Sequence, residues 1–429
     1  MAAPPRMRWV MISLVFVATA INYLDRQTLS VVAPVLIDLY HMSNETYSRI
    51  IFAFMLAYTV MNGISGPFID RLGTRRGYAW TTAWWSASAM LHAFTIGPWS
   101  LGTFRFLLGM GEAGNWPAGV KVVAEWFPVR ERALASGIFN SGSAIGAILA
   151  PPMVVWIVLT FGWRAAFFAV GACGFVWLGI WLLTYYTPSI VEKMEVSHRL
   201  STKALFSTRF VWGFIVAKIF LDPVWYFYIF WFPAYLSRAR HFDLAAIGKY
   251  AWIPFLVAGV GNILGGWVAT VLLRKSMSLS LARKLSVTVF ACLMTLTIPA
   301  VLVNDVRLSI GLVSIAMLGY TGVTANMLAM PADVFPQNVL ASIWGYSGLG
   351  SGFGGMLFAL ITGWLVDHYS YIPVFIGFGL MPLVALLIIW TLLGPLHPIQ
   401  AKAGVVLGAM TSRVVDKCNV EMTGALHKK

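Results

Sequence analysis

Long apolar stretches alternate with short polar ones along almost the whole chain. Each apolar run is close to the roughly 20 residues that a helix needs to cross a bilayer. The runs cover residues 9–39, 47–69, 77–96, 98–121, 133–160, 165–187, 209–236, 245–273, 285–303, 308–332, 340–366 and 371–394. This pattern predicts an all-α integral membrane protein with twelve transmembrane helices.

A polar stretch in the middle of the chain divides the runs six and six. We therefore expect an N-terminal six-helix bundle at residues 1–188, a cytoplasmic linker at 189–208, a C-terminal six-helix bundle at 209–395 and a disordered cytoplasmic tail at 396–429. Fragments of one half recur at corresponding places in the other: Trp126-Phe127-Pro128 as Val334-Phe335-Pro336, and Gly66-Pro67 before Arg75-Arg76 as Gly265-Gly266 before Arg274-Lys275. Such repeats predict pseudo-symmetric bundles with a transport site between them.

Composition and charge agree with this class. Hydrophobic residues make up 59% of the chain and charged residues 11%, whereas soluble domains carry about a quarter charged residues. The net charge of +14 does not indicate nucleic acid, because most Lys and Arg fall at the termini and after even-numbered runs. That bias predicts cytoplasmic termini in a multi-pass protein of the cell (inner, cytoplasmic) membrane. The three cysteines and seven histidines show no metal-ligand spacing.

Two charges stand near the middle of the first apolar run, in the segment Asn22-Tyr23-Leu24-Asp25-Arg26. A charge at the centre of a bilayer costs roughly 2.5 to 3.5 kcal/mol on insertion scales. Neighbours on a helix point in different directions, so Asp25 and Arg26 cannot pair neatly with each other. Each must face a polar interior built by other helices, which makes this segment a candidate functional site.

A second motif separates the second and third runs: Gly66-Pro-Phe-Ile-Asp70-Arg71-Leu-Gly73-Thr-Arg75-Arg76. It resembles the cytoplasmic loop signature of the major facilitator superfamily. The resemblance implies gating roles for Asp70, Arg71 and Arg75, since a charge contact to a neighbouring helix end must break when the two halves rock. The alternative is that the basic residues only follow the positive-inside rule.

Within that superfamily the chain resembles the anion:cation symporter family over residues 7 to 395. The similar motifs are Asn22–Arg26, Arg105-Phe-Leu-Leu-Gly-Met-Gly-Glu112 and Glu125-Trp-Phe-Pro128, and Phe220-Leu-Asp222-Pro-Val-Trp225 resembles the hexuronate branch. The resemblance implies a symporter that imports galacturonate or glucuronate with protons by alternating access. It implies no cofactor, since the proton gradient drives transport, and we expect a monomer. The alternatives are a symporter for galactonate, glucarate or another organic anion, and a non-transporting sugar-acid receptor.

Four charged residues lie within the apolar runs and could form ion pairs: Asp25, Arg26, Arg105 and Glu112. Arg105 and Glu112 lie two turns apart, about 10.5 Å, on one helix face and need partners elsewhere. The simplest pairing sets Asp25 against Arg105 and leaves Arg26 for the substrate carboxylate, which a guanidinium fork suits. The resemblance supports these roles, with Arg105 at the binding site and protons carried by Asp25 and Glu112. The alternative is that Arg105 and Glu112 only pin helices together through buried pairs.

A polyhydroxylated anion also needs hydrogen-bonding side chains, although membrane Tyr and Trp more often form interfacial belts. Our first choices are Tyr23, Tyr58, Asn140, Ser141 and Tyr346. The remaining candidates are Asn115, Ser143, Trp225, Tyr228, Asn326 and Ser347. Lys218 and Asp222 are four residues apart and are expected to pair along one helix face, and Lys121 to reach the lipid headgroups.

Overall fold

The computed structural model describes residues 6–128, 131–187, 205–335 and 337–396. Most of the predicted linker and nearly all of the predicted tail lie outside these ranges. The described chain is helical. Its helices are α1 Met7–Leu39, α2 Asn44–Leu72, α3 Thr74–Leu91, α4 Pro98–Glu112, α5 Asn115–Trp126, α6 Arg132–Phe161, α7 Trp163–Thr184, α8 Arg209–Arg238, α9 Leu244–Tyr250, α10 Ile253–Arg274, α11 Leu279–Met294, α12 Thr297–Leu302, α13 Val306–Val334, α14 Gln337–His368 and α15 Tyr371–Thr391.

These helices make twelve spans in two bundles of six, as the apolar runs predict. Three spans are interrupted: α4 continues as α5, α9 as α10, and α11 as α12. Ten spans are long and apolar enough to cross a membrane by composition alone. The other two are α3 and the α4–α5 pair. The described ranges therefore form a multi-pass membrane protein with twelve spans.

The predicted loop between the second and third runs is shorter than expected. Helix α2 continues through Leu72, and α3 begins at Thr74, so that Gly73 alone separates them. Gly73 has φ +78°, a left-handed conformation that glycine adopts without a steric penalty. Asp70 and Arg71 therefore stand in the last turn of a helix, not in an open loop.

The two bundles meet along matching pairs of spans. Helix α1 packs against α8, α2 against α14, and α6 against α9 and α10. Exchanging the two halves turns the α2–α14 contact into the contact of α6 with α9 and α10, as a pseudo-twofold axis requires.

Glycines allow α14 to lie close to its neighbours. A Cβ atom at Gly352 would stand 2.1 Å from Thr59 Oγ1 of α2. At Gly354 it would stand 2.4 Å from the Ile219 carbonyl oxygen of α8. The helix is therefore closely packed at these two positions, whereas Gly345 and Gly348 face open space.

Contacts between the bundles gather at the end of the molecule that holds the α1–α2 connection, here called the α1–α2 end. Asp367 of α14 accepts hydrogen bonds from the backbone N–H of Asn44 at 3.0 Å and of Glu45 at 2.7 Å, and from the Asn44 side chain at 2.8 Å. Arg238 of α8 forms an ion pair with Asp38 of α1. The structure is thus closed at the α1–α2 end.

Candidate functional site

The segment Asn22–Arg26 lies in the middle of α1 and is buried. Asn22 is 0% exposed, Asp25 3% and Arg26 2%. The helix carries Arg26 towards α2 and α4, where its guanidinium meets Glu112 and several aromatic rings. The intramembrane charges predicted to be functional are thus buried, and Arg26 faces other helices.

Arg26 and Glu112 form a buried ion pair. The Arg26 Nη2 and Nε atoms donate to Glu112 Oε2 at 2.9 and 3.1 Å. Glu112 is fully buried, and its Oε1 has no hydrogen-bond partner in the described part of the chain. The carboxylate therefore uses one oxygen where a bidentate pair would use two.

The predicted pairing of Asp25 with Arg105 is wrong. Arg105 Nη2 instead donates to the backbone carbonyl of Arg26 at 2.7 Å. Helical carbonyls point towards the C-terminal end of their helix, so Arg105 meets α1 on the side nearer the α1–α2 end. Arg105 thereby fixes the main chain of the residue whose side chain holds Glu112.

Asp25 stands apart from these bonds. Neither carboxyl oxygen has a hydrogen-bond partner among the described residues. Glu112 and Arg105 are the charged residues that act on it electrostatically. A buried carboxyl group without a partner is costly if it is ionised.

Aromatic rings surround the Arg26 guanidinium. Its Cζ lies 5.0 Å from the Tyr23 ring centroid, 4.7 Å from that of Tyr58 and 5.2 Å from that of Phe54. Such contacts contribute about 2 kcal/mol each when desolvated. The structure thus brings Tyr23 and Tyr58, two of the residues predicted to bind the substrate, to Arg26. We call Arg26, Glu112, Arg105, Tyr23, Tyr58 and Phe54 the Arg26 site.

Phe54 is a member of this site that the sequence analysis missed. Its ring lies against both guanidinium groups, 5.2 Å from that of Arg26 and 4.6 Å from that of Arg105. It also contacts Phe230 of α8 across the bundle interface, with ring centroids 5.9 Å apart. Its spacing of four residues from Tyr58 puts both on one helix face, and this was the available signal.

The other first-choice residues make contacts elsewhere. Ser141 is exposed and donates to the Ile138 carbonyl, and the Asn140 carbonyl accepts from Ser143. Tyr346 stacks at an angle on Phe206, with ring centroids 4.6 Å apart. These contacts do not join the three residues to the Arg26 site.

Several remaining candidates are hydrogen-bonded inside one bundle. Asn115 accepts a hydrogen bond from Tyr78 at 2.6 Å. Asn326 donates to the Gly265 carbonyl at 2.9 Å, and Tyr228 pairs with a threonine of α12. Their polar groups stabilise helix packing within a bundle.

The predicted gating residues lie at the other end of α2. Asp70 Oδ1 accepts from Lys121 Nζ of α5 at 2.7 Å, so the sequence interpretation of Lys121 as a headgroup contact is replaced by an ion pair. Arg75 donates to the Leu182 carbonyl of α7, and Arg71 is exposed. Both hydrogen bonds stay within the N-terminal bundle in this conformation.

A charged pair in the C-terminal bundle confirms the expectation for α8. Lys218 Nζ lies 2.9 Å from Asp222 Oδ2. Tyr320 of α13 donates to Asp222 Oδ1 at 3.2 Å. Within the described ranges, no group of three or more His, Cys, Asp or Glu side chains could hold a metal ion.

Comparison with known proteins places the chain in a family. Residues 15–303 match the model of the Major Facilitator Superfamily. The chain is 34% identical over 407 residues to the hexuronate transporter of Escherichia coli (strain K12), covering 90% of this chain and 94% of the relative. It is 36% identical over 307 residues to the galacturonate transporter of Dickeya chrysanthemi, covering 67% and 89% of the two chains.

The fold agrees with a solved transporter structure. The crystal structure of a D-xylose-proton symporter superposes with a TM-score of 0.73 at 14% identity, covering 90% of this chain and 98% of that one. At this identity the likeness concerns the fold alone. Family match, relatives and fold together show that the chain belongs to the Major Facilitator Superfamily and is a membrane transporter, not an enzyme.

Proposed function

We propose that this protein is a proton-coupled symporter that imports hexuronates, galacturonate or glucuronate, across the cytoplasmic membrane with both termini in the cytoplasm. The hexuronate and galacturonate transporters to which it is similar support this substrate class. The observation that carries the proposal is the buried Arg26–Glu112 pair, in which an arginine already holds a carboxylate.

Exchange of carboxylates at Arg26 is the proposed coupling step. A proton on Glu112 removes the negative charge that holds the Arg26 guanidinium. The substrate carboxylate then takes the place of Glu112 and can accept two parallel hydrogen bonds, because a guanidinium presents a planar fork of donors. Tyr23 and Tyr58 flank that position, and each offers a hydroxyl group and a ring face to the sugar.

Asp25 is proposed as a second proton site. Its carboxyl group lacks hydrogen-bond partners in the described structure, so ionisation there carries a desolvation penalty. A proton bound at Asp25 also lowers the negative charge near the incoming anion. Arg105 is proposed to position Arg26 through its bond to the Arg26 carbonyl.

Alternating access follows from the arrangement of the bundles. With cytoplasmic termini, the α1–α2 end faces outwards, and the structure is closed to the outside. Opening to the outside must break the bonds of Asp367 to α2 and the Asp38–Arg238 pair. We propose that Asp70, Arg71 and Arg75 act at the opposite end, where the bundles would meet in the outward-facing state.

Uptake by proteoliposomes tests this function. Labelled galacturonate is offered with and without an inward proton gradient, against unlabelled glucuronate, galactonate and glucarate. We expect accumulation that requires the gradient and that glucuronate competes. Competition by galactonate or glucarate alone would show that the substrate is another sugar acid. Binding without any flux would support a receptor.

A further inference from the structure

The Lys218–Asp222 pair of α8 forms a second charged cluster near the bundle interface. The side chains are 13% and 10% exposed, so the pair is largely but not completely withdrawn from solvent. Tyr320 donates to the Asp222 oxygen that Lys218 does not contact. Both oxygens of Asp222 are therefore occupied, and the positive charge of Lys218 is neutralised within its own bundle.

Aromatic side chains connect this cluster to the Arg26 site. The Trp225 ring stacks on Tyr320, with centroids 5.2 Å apart. Tyr226 stacks on Phe230 of the same helix, and Phe230 contacts Phe54 of the Arg26 site. Tyr226 stands one turn of α8, a rise of about 6 Å, from Asp222. The Asp222–Lys218 pair thus lies one helical turn from the aromatic rings that reach the Arg26 site.

The Arg26 site and the Asp222–Lys218 pair differ in the charge that they offer to a substrate. At the Arg26 site, a proton on Glu112 would release one positive charge for a substrate carboxylate. At the other end, Asp222 stays bound to Lys218, so the pair carries no net charge. A hydroxyl group can donate to Asp222 or accept from Lys218, whereas a second carboxylate would find no unpaired positive charge to offset its desolvation.

We infer that the Asp222–Lys218 pair determines substrate specificity: it binds hydroxyl groups at the end of the sugar acid remote from its carboxylate and rejects dicarboxylic sugar acids. This inference rests on the proposed function, because it assumes a sugar acid held by Arg26. Trp225 supplies a flat apolar surface beside the pair, against which a sugar ring can lie. The alternative is that the pair only joins neighbouring turns of α8.

The substitution Asp222→Asn removes the negative charge of the side chain but keeps its shape. The asparagine amide oxygen can still accept from Tyr320, while the positive charge of Lys218 is released. The probes are labelled galacturonate, with one carboxylate, and galactarate, with two, in equilibrium binding to the purified protein. Asp305→Asn is the matched control, because Asp305 is an exposed carboxylate that caps its own helix, α13.

In the wild type, we expect galacturonate to bind and galactarate to compete weakly. In Asp222→Asn, the Kd of galactarate relative to galacturonate should fall about tenfold or more, since a released lysine gains a charge-assisted hydrogen bond. The additional substitution Lys218→Gln should abolish that gain. Asp305→Asn should leave the ratio unchanged.

An unchanged ratio in folded Asp222→Asn would overturn the inference and leave a structural ion pair. If that variant does not fold, Lys218→Gln is decisive: weaker galacturonate binding supports the inference, and wild-type binding contradicts it. Wild-type protein that binds galactarate as tightly as galacturonate would also refute the inference while leaving transport of sugar acids intact. Wild-type protein that binds neither would contradict the proposed function itself.

Discussion

The guanidinium of Arg26 directs both Nε and Nη2 at one oxygen of Glu112, at 3.1 and 2.9 Å. The other oxygen of that carboxylate finds no partner in the described structure. The pair is fully enclosed, and removing one member of a buried ion pair typically costs about 3–5 kcal/mol. In the proposed coupling, a proton on Glu112 and a substrate carboxylate on Arg26 together replace the broken ion pair.

Glu112→Gln should abolish proton-driven accumulation of galacturonate without abolishing galacturonate exchange. Glutamine keeps an oxygen that can accept from Arg26 but cannot carry a proton across the membrane. We expect counterflow of labelled for unlabelled galacturonate to continue, while accumulation driven by a proton gradient is lost. Glu45→Gln is the control, since Glu45 forms an exposed ion pair with Arg49. Equal loss of both activities in Glu112→Gln would count against the proton role.

Arg26→Lys should weaken substrate binding. A lysine keeps the charge but lacks the planar fork, so at least one charge-assisted hydrogen bond is lost. Such a bond contributes about 1.5–3 kcal/mol, which corresponds to about tenfold to a hundredfold in Kd. Titration of purified protein with galacturonate measures this effect, with Arg49→Lys as the exposed control. An unchanged Kd would show that Arg26 does not bind the substrate.

Asp367→Asn should favour the state that is open at the α1–α2 end. The substitution weakens a carboxylate cap that joins the bundles at the start of α2, and such caps contribute about 1 kcal/mol, or about fivefold in population. Ser48 is buried there against Gly363. A cysteine at position 48, in a variant without Cys173, Cys292 and Cys418, should therefore be alkylated about fivefold faster.

The control for this experiment is again Asp305→Asn. Asp305 caps α13 within the C-terminal bundle, so its loss should not open the interface. Equal alkylation rates in the two variants would show that Asp367 does not hold the bundles together.

Gly354→Ala should destabilise the folded protein. The new methyl group would stand 2.4 Å from the Ile219 carbonyl oxygen and 3.0 Å from the Ile219 Cα, and backbone atoms cannot move aside cheaply. Overpacking of this kind costs about 1–3 kcal/mol, and thermal unfolding in detergent should show a lower Tm. Gly348→Ala on the same helix faces open space and should not lower the Tm. Equal Tm values in the two variants would contradict the close packing.

Most of the fold could be predicted because a bilayer imposes a simple rule. The length and spacing of the apolar runs are sufficient to indicate twelve spans in two bundles. The interruptions could not be predicted in the same way, since the break between α4 and α5 lies within a continuous apolar run, and Gly73 ends α2 later than the motif suggests.

The site could be predicted in its members but not in its pairing. Intramembrane charges are rare enough that Asp25, Arg26, Arg105 and Glu112 stand out from sequence alone. Which of them meet depends on helix rotation and depth, and the structure pairs Arg26 with Glu112 where the sequence suggested Asp25 with Arg105. Phe54 was missed because its signal, a spacing of four residues from Tyr58, is not specific: other aromatic pairs such as Phe210 and Phe214 have the same spacing.

Movement of protons with the substrate is the central claim, and the lumenal pH of proteoliposomes tests it most directly. A trapped pH-sensitive dye would report the lumen after galacturonate is added outside, with no gradient imposed and with membrane potential clamped. We predict acidification of the lumen that follows galacturonate uptake and is absent with Glu112→Gln. Uptake of galacturonate by the wild type without any change in lumenal pH would contradict the account.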